Sequence, residues 1–249
     1  MGIKESESDD PDRDQFAKLD PAEKFRLKMV SIDERISVLG KTGQGKSWFA
    51  AYLMHKFSKQ VLTIVLDPKR EYRLPPIPKD FMKLKVGLYR IYEIKRHGKT
   101  YDDFALLTEW LCRNCFKRGY TCIILEEAGE YIPKHGRLYD TMPNLGKYLT
   151  QGRKRYCSLM ITSQRTQDIN TSLLSQSEHI FCFKLASPHD LDAVKKYFDA
   201  TWFRKLKDFQ YLHYNDNDTT VRRRFGLFTK DMIFGERLIG SDKKIPLKE

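Results

Sequence analysis

Hydrophobic positions along this chain fall into two kinds of block. Arg35–Leu39, Val61–Leu66, Leu88–Tyr92, Thr121–Leu125, Cys157–Thr162 and His179–Phe183 are short, largely apolar runs. Runs of that length and texture predict strands covered on both faces. Between them, apolar residues recur at helical spacing. Gly45 to about Ser58 places Trp48, Phe49, Tyr52, Leu53 and Phe57 on such a pattern. Asp102 to about Lys117 is a second helix, stopped by Gly119, and Asp140 to Arg153 a third. Strands alternating with helices predict an α/β fold with a mainly parallel central sheet flanked by helices. The end of the chain differs: Phe209–Tyr214 and Val221–Phe228 flank the polar Asn215–Asp218. That pattern predicts a β-hairpin closing one edge of the sheet.

Residues 1 to 24 have no such pattern. They hold eight acids against four bases, a balance of −4, so residues 25–249 carry +16 of the formal net charge of +12. An acidic segment poor in large apolar residues predicts a mobile tail. Residues 25–239 then form one domain, and 240–249 a short C-terminal tail. A body this basic suits an anionic partner, nucleic acid above all, although a well-solubilised surface gives the same balance.

Five cysteines are present. Cys112 and Cys115 have the spacing of half a zinc site, but no second Cys/His pair follows at finger spacing. Cys122, Cys157 and Cys182 lie in apolar runs and read as core. The odd count and the acidic start, unlike a basic-then-apolar leader, predict an intracellular setting. No apolar run approaches the roughly 20 residues of a membrane span.

The chemistry begins at Gly40-Lys41-Thr42-Gly43-Gln44-Gly45-Lys46-Ser47, a complete GxxxxGK[ST] pattern between a predicted strand and a predicted helix. Glycines let successive backbone N–H groups turn inward onto phosphate oxygens. The helix start, including Trp48, presents its positive end to the same anion. Lys46 adds a full charge at the β- and γ-phosphates of ATP, and the Ser47 hydroxyl is a Mg²⁺ ligand. Downstream, Thr121–Leu125 delivers Glu126 and Glu127 to a strand end, the edge where open α/β sheets bind ligands. An apolar strand followed by an acidic pair is the Walker B arrangement. It assigns Glu126 to the Mg²⁺ side and Glu127 to the attacking water. Glu126 stands where Asp is usual, and its extra methylene favours contact with the metal through water.

These segments together resemble the HerA/FtsK superfamily of P-loop ATPases. Glu126–Pro133 is similar to that family's "DEAH…P" segment, and Asp67-Pro-Lys-Arg-Glu71 to its "D-P-K-x-E" stretch. Gln151-Gly-Arg-Lys-Arg-Tyr156, the strand after it and Ser163-Gln164-Arg165 are similar to its "GRK…SQR" stretch. Leu173–Gln176 and Ser187–Asp190 continue the likeness, which covers about Ile32 to Phe198. The resemblance implies a RecA-like P-loop NTPase fold and ring oligomers, commonly hexamers, around double-stranded DNA. It implies Gln164 as a residue that senses the γ-phosphate or positions water, and Arg153 as an arginine finger acting in trans, with Arg155 in reserve. The chain's size resembles small viral packaging ATPases most, which implies a capsid or portal-like partner and a place in the host cytoplasm or the virion. DNA contacts without sequence preference are expected from Lys134, His135 and Arg137 after Walker B and from Arg222, Arg223 and Arg224 in the last hairpin. Lys69 and Arg70 follow a strand end and face either nucleotide or a neighbour. Two other functions suit a P-loop: a kinase for a small molecule, and a nucleotide-gated assembly or secretion factor without turnover.

Overall fold

The computed structural model describes residues 30–96, 99–216 and 223–227; the two predicted tails lie outside them. The fold described is that of the unit that begins at Ser31. Its strands are β1 (Arg35–Leu39), β2 (Leu62–Leu66), β3 (Gly87–Ile91), β6 (Thr121–Leu125), β7 (Cys157–Ser163), β8 (His179–Phe183), β9 (Gln210–Asn215) and β10 (Arg223–Leu227). They form one eight-stranded sheet in the order β10-β9-β8-β1-β7-β6-β2-β3. The six strands from β8 to β3 are parallel, while β9 and β10 join antiparallel at the edge. A separate small hairpin pairs β4 (Ile94–Arg96) with β5 (Lys99–Tyr101).

Strands β2, β6, β7 and β8 are buried at every position, as their apolar sequences require. Helix α1 (Lys46–Ser58) packs Phe49, Ala50, Ala51, Leu53, Met54 and Phe57 inward, whereas Trp48 and Tyr52 stay partly exposed. Helix α2 (Phe104–Arg118) starts on Asp103, whose carboxylate accepts the Leu106 N–H. It ends at Gly119 in a positive-φ conformation.

The predicted helix over Asp140–Arg153 is broken. It comprises α3 (Leu138–Thr141), α4 (Pro143–Gln151) and a 3₁₀ turn, Gly152–Arg155. Pro143 forces Met142 out of the helical region (ψ 73°) and takes the first helical position itself. Glu109 of α2 then caps α4 by accepting from the Asn144 and Leu145 backbone N–H groups at 3.0 and 2.9 Å. Three short helices, α5 (Thr171–Ser175), α6 (Pro188–Val194) and α7 (Ala200–Lys205), complete the fold.

All five cysteines are buried free thiols. Burial pushes Cys122 up to about 12 and Cys112 and Cys115 well above the usual thiol range. Among the described residues, no His/Cys/Asp/Glu group is placed to hold a metal ion, and no helix is long and apolar enough to cross a membrane.

Candidate active site

The strand order brings three chain segments together at one sheet edge. β7 lies between β1 and β6. The glycine loop after β1, Gln164 after β7 and the acidic pair after β6 are therefore neighbours, though 122 residues separate Thr42 from Gln164. The loop is pinned where it leaves the sheet: Gly40 N–H donates to Ser163 O and Lys41 N–H to Lys184 O, both at 3.2 Å. Gly40, Gly43 and Gly45 have φ of 147°, 80° and 94°, a region that favours glycine. A Cβ on Gly40 would lie 2.6 Å from Phe183 Cβ, so that position also needs its missing side chain. At Gly43 an added Cβ would meet nothing within 4 Å, which leaves an open cradle. Helix α1 follows with no acidic residue in its first turn, so its positive end faces that cradle uncountered. The loop therefore fits a polyphosphate.

Lys46 is buried, and its Nζ donates to Glu127 Oε1 at 2.9 Å. Glu127 Oε2 accepts the Gln164 backbone N–H at 3.0 Å. Lys69 Nζ lies 4.0 Å from Glu127 and 2.9 Å from Glu130. Burial alone would raise the Glu127 carboxyl, but Lys46, the Gln164 N–H and Lys69 outweigh it and hold the group below the usual range. Its backbone is left-handed, with φ 50°.

Glu126 is fully buried, and hydroxyls engage both of its oxygens: Tyr72 donates to Oε1 and Thr162 to Oε2. Burial raises its carboxyl above the usual range; the Lys46 charge and the two hydroxyls oppose that, and the neighbouring Glu127 adds to it. Thr162 Oγ1 also accepts the Glu127 backbone N–H at 3.1 Å, so one hydroxyl ties the Glu126 carboxylate and the Glu127 backbone to β7. Tyr72 is held in turn. Its N–H donates to Asp67 Oδ2 at 3.0 Å, and its carbonyl accepts from Arg90 Nη1 at 2.7 Å. Sequence reasoning missed Tyr72 and Thr162. A polar residue ending the apolar strand β7 was a usable signal for Thr162; nothing local marks Tyr72. The residues that could hold Mg²⁺ are Ser47, through its hydroxyl, and these carboxylates. Because Tyr72 and Thr162 occupy Glu126, it suits a metal-bound water better than the metal itself.

Gln164 Oε1 accepts from Thr42 Oγ1 at 2.6 Å, which places the amide on the loop. Arg153 and Arg155 lie elsewhere, in the 3₁₀ turn that enters β7 from the opposite sheet edge. Arg153 Nε pairs with Asp33 Oδ2 at 3.4 Å, just before β1 begins. The length of β1 therefore separates it from its own loop, about 16 Å at the usual strand rise. Arg155 Nη2 donates to Lys117 O at 2.7 Å, and its guanidinium lies 5.4 Å from the Phe116 ring, which binds it to the end of α2.

Lys134 and His135 are exposed and line an open cleft of about 420 Å³ together with Gln167, His189 and Asp192. Arg137 is exposed at the start of α3. Arg223 and Arg224 lie on β10 opposite Tyr214 and His213, with only their backbone described. Arg222 falls outside the described residues. Arg70 lies over the Tyr92 ring at 4.0 Å.

Residues 21–95 match the family model described as the central domain of helicase HerA. The chain is 28% identical over 176 residues to the DNA packaging ATPase P9 of Enterobacteria phage PRD1, covering 68% of this chain and 72% of that protein. In sequence the chain is similar to the HerA-type ATPases. A 74-residue stretch of this ATPase is 34% identical to the DNA double-strand break repair helicase HerA of Pyrococcus furiosus, 13% of that protein's length. In fold, it is similar to the genome packaging NTPase B204 of Sulfolobus turreted icosahedral virus 2 in complex with AMPPCP. That likeness has a TM-score of 0.60 at 21% identity and covers 79% of this chain and 98% of the other.

Proposed function

We propose that this ATPase is a motor that moves double-stranded DNA and packages a viral genome. The observation that carries the proposal is the likeness to a packaging ATPase across most of both chains. The basic body is the charge balance such a partner requires.

At the site, Lys46 and the loop N–H groups hold the β- and γ-phosphates of ATP. Glu127, kept ionised, orients a water and accepts its proton. Gln164 is anchored through its oxygen on Thr42 and directs its amide N–H₂ at the terminal phosphate. Ser47, and Glu126 through water, would hold Mg²⁺, which would supply charge neutralisation at the phosphates. Arg153 is too far from its own loop to take part there. Copies arranged in a ring, a hexamer by family likeness, place it at the neighbour's site. Arg155 serves the end of α2 instead. Lys134, His135 and Arg137, with the arginines of the last hairpin, face the DNA backbone, and a capsid or portal-like protein anchors the ring. The host cytoplasm and the virion are its places of action.

The test is steady-state ATP hydrolysis with and without long double-stranded DNA at low salt, for wild type and Glu127→Gln. DNA-stimulated turnover in wild type, abolished in the variant while ATP still binds, is the expected result. Turnover indifferent to DNA would refute the motor and leave an ATPase with another partner.

A further inference from the structure

Phe209 is a large aromatic residue in a backbone conformation that suits glycine. Its φ is 65°, which is uncommon for any bulky residue. It occupies the third position of a tight turn, Lys207–Gln210, where a left-handed residue is required. Two bonds lock that turn: Gln210 N–H donates to Lys207 O at 3.2 Å, and Lys207 N–H donates to Gln210 Oε1 at 2.8 Å. Asp, Asn or Gly would take the position without strain. Despite its size the ring is not buried; the residue is 39% exposed. Strain without burial brings no packing gain, a combination that marks functional positions.

The ring's location supplies the function. The turn leads into β9, which runs antiparallel to β8, so Phe209 stands at the sheet edge that carries the glycine loop. A Cβ on Gly45 would lie 2.9 Å from Phe209 Cδ1. The phenyl ring thus rests on the loop residue immediately before Lys46. Phe183, on the other hand, also approaches Gly45 but is wholly buried with Phe49 and Tyr211. Phe209 therefore combines contact with the phosphate loop and an open face.

We infer that Phe209 is the base platform of the nucleotide site, stacking the purine of the nucleoside triphosphate whose phosphates the loop holds. This rests on the nucleotide reading of that loop. An aromatic face recognises any base by stacking, so it supplies affinity for the base as a class and leaves the choice among bases to other groups.

Calorimetric titration with AMPPNP and with tripolyphosphate separates the two parts of the site. Wild type is expected to bind AMPPNP the more tightly. Phe209→Ala should weaken AMPPNP about tenfold to a hundredfold, the usual loss of one stacking partner, and leave tripolyphosphate unchanged. Phe209→Leu keeps apolar bulk against Gly45 and should show the same selective loss, whereas Phe209→Trp should restore binding. If both ligands weaken together in Phe209→Ala and recover together in Phe209→Leu, the ring only props the loop and the platform is refuted. If neither variant changes AMPPNP binding, it is refuted as well. Wild type that binds neither ligand would overturn the phosphate-loop reading itself.

Discussion

Thr162→Val removes one hydroxyl and almost nothing else. Valine has the same shape, is equally at home in a buried strand, and leaves the β7 ladder intact. The lost oxygen has two partners: it donates to Glu126 Oε2 and accepts the Glu127 N–H. Neither partner can turn to solvent, because Glu126 and Glu127 are 5% and 6% exposed. A hydrogen bond to a charged group is worth about 1.5–3 kcal/mol, and a buried N–H left unpaired costs about 1–3 kcal/mol. Because both terms share one oxygen and the site can relax, a total of about 3 kcal/mol is the reasonable expectation. In urea, with a slope of about 2–3 kcal/mol/M, that moves the unfolding midpoint down by roughly 1 M. Thr63→Val is the control. Thr63 is also fully buried, but its hydroxyl makes only a long, local bond of 3.4 Å to Val61 O, so a loss below about 1 kcal/mol is expected. ATP turnover should fall as well, since the Glu127 backbone loses the bond that holds it in its left-handed conformation. A Thr162→Val protein as stable as the Thr63→Val control, with turnover intact, would refute the view that this hydroxyl holds the acidic pair.

Three further outcomes follow from the same bonds. Glu109→Ala should cost about 1–2 kcal/mol by uncapping α4, with Glu109→Gln falling between it and wild type in urea unfolding. Arg153→Ala should leave the melting temperature within about 2 °C of wild type, because the exposed pair with Asp33 contributes under about 1 kcal/mol. It should nevertheless abolish turnover of the assembled protein, while Arg155→Ala, which loses the contacts with Phe116 and Lys117, shows the reverse. Glu34 Oε2 lies 3.0 Å from His179 Nε2. Burial pushes its carboxyl up, but the bonds from His179 and the Ser31 N–H hold it below the usual range. A depressed carboxylate stabilises above its unfolded pKa and loses that contribution as pH falls through the folded one. The acid limb of a stability–pH curve should therefore be shallower in Glu34→Gln; an identical limb would remove Glu34 from the account.

Most strands were legible because they are short apolar runs ended by glycine or charge, as at Gly40, Asp67, Glu126 and Lys184. Arg35–Leu39, Thr121–Leu125 and His179–Phe183 coincide residue for residue with β1, β6 and β8. The terminal hairpin was legible from its polar turn. Sheet order was not, since nothing in a strand's own residues says that β7 lies between β1 and β6. The short helices α5, α6 and α7 were missed because five to seven residues show too little periodicity; their ends are set by side chains such as Asn170 and Asp199 capping them. The break at Pro143 is marked by the proline itself, which keeps Met142 out of the helical region. Within the site, residues whose chemistry is backbone-borne or in a fixed pattern could be read directly. Tyr72 could not, because its partner Glu126 is 54 residues away and only the fold brings them together.

The placement of β7 has a mechanical side. One strand of seven residues begins at the turn carrying Arg153 and ends beside Gln164, so a single rod joins the two sheet edges. Parallel ladders clamp it on both flanks, to β1 over five residues and to β6 over five. Shear along the rod by one residue would exchange the side chains packed on its two buried faces and break both ladders at once. A load applied at the Arg153 turn can therefore be carried only by moving the rod with its neighbours, which displaces the far end by about as much as the near one.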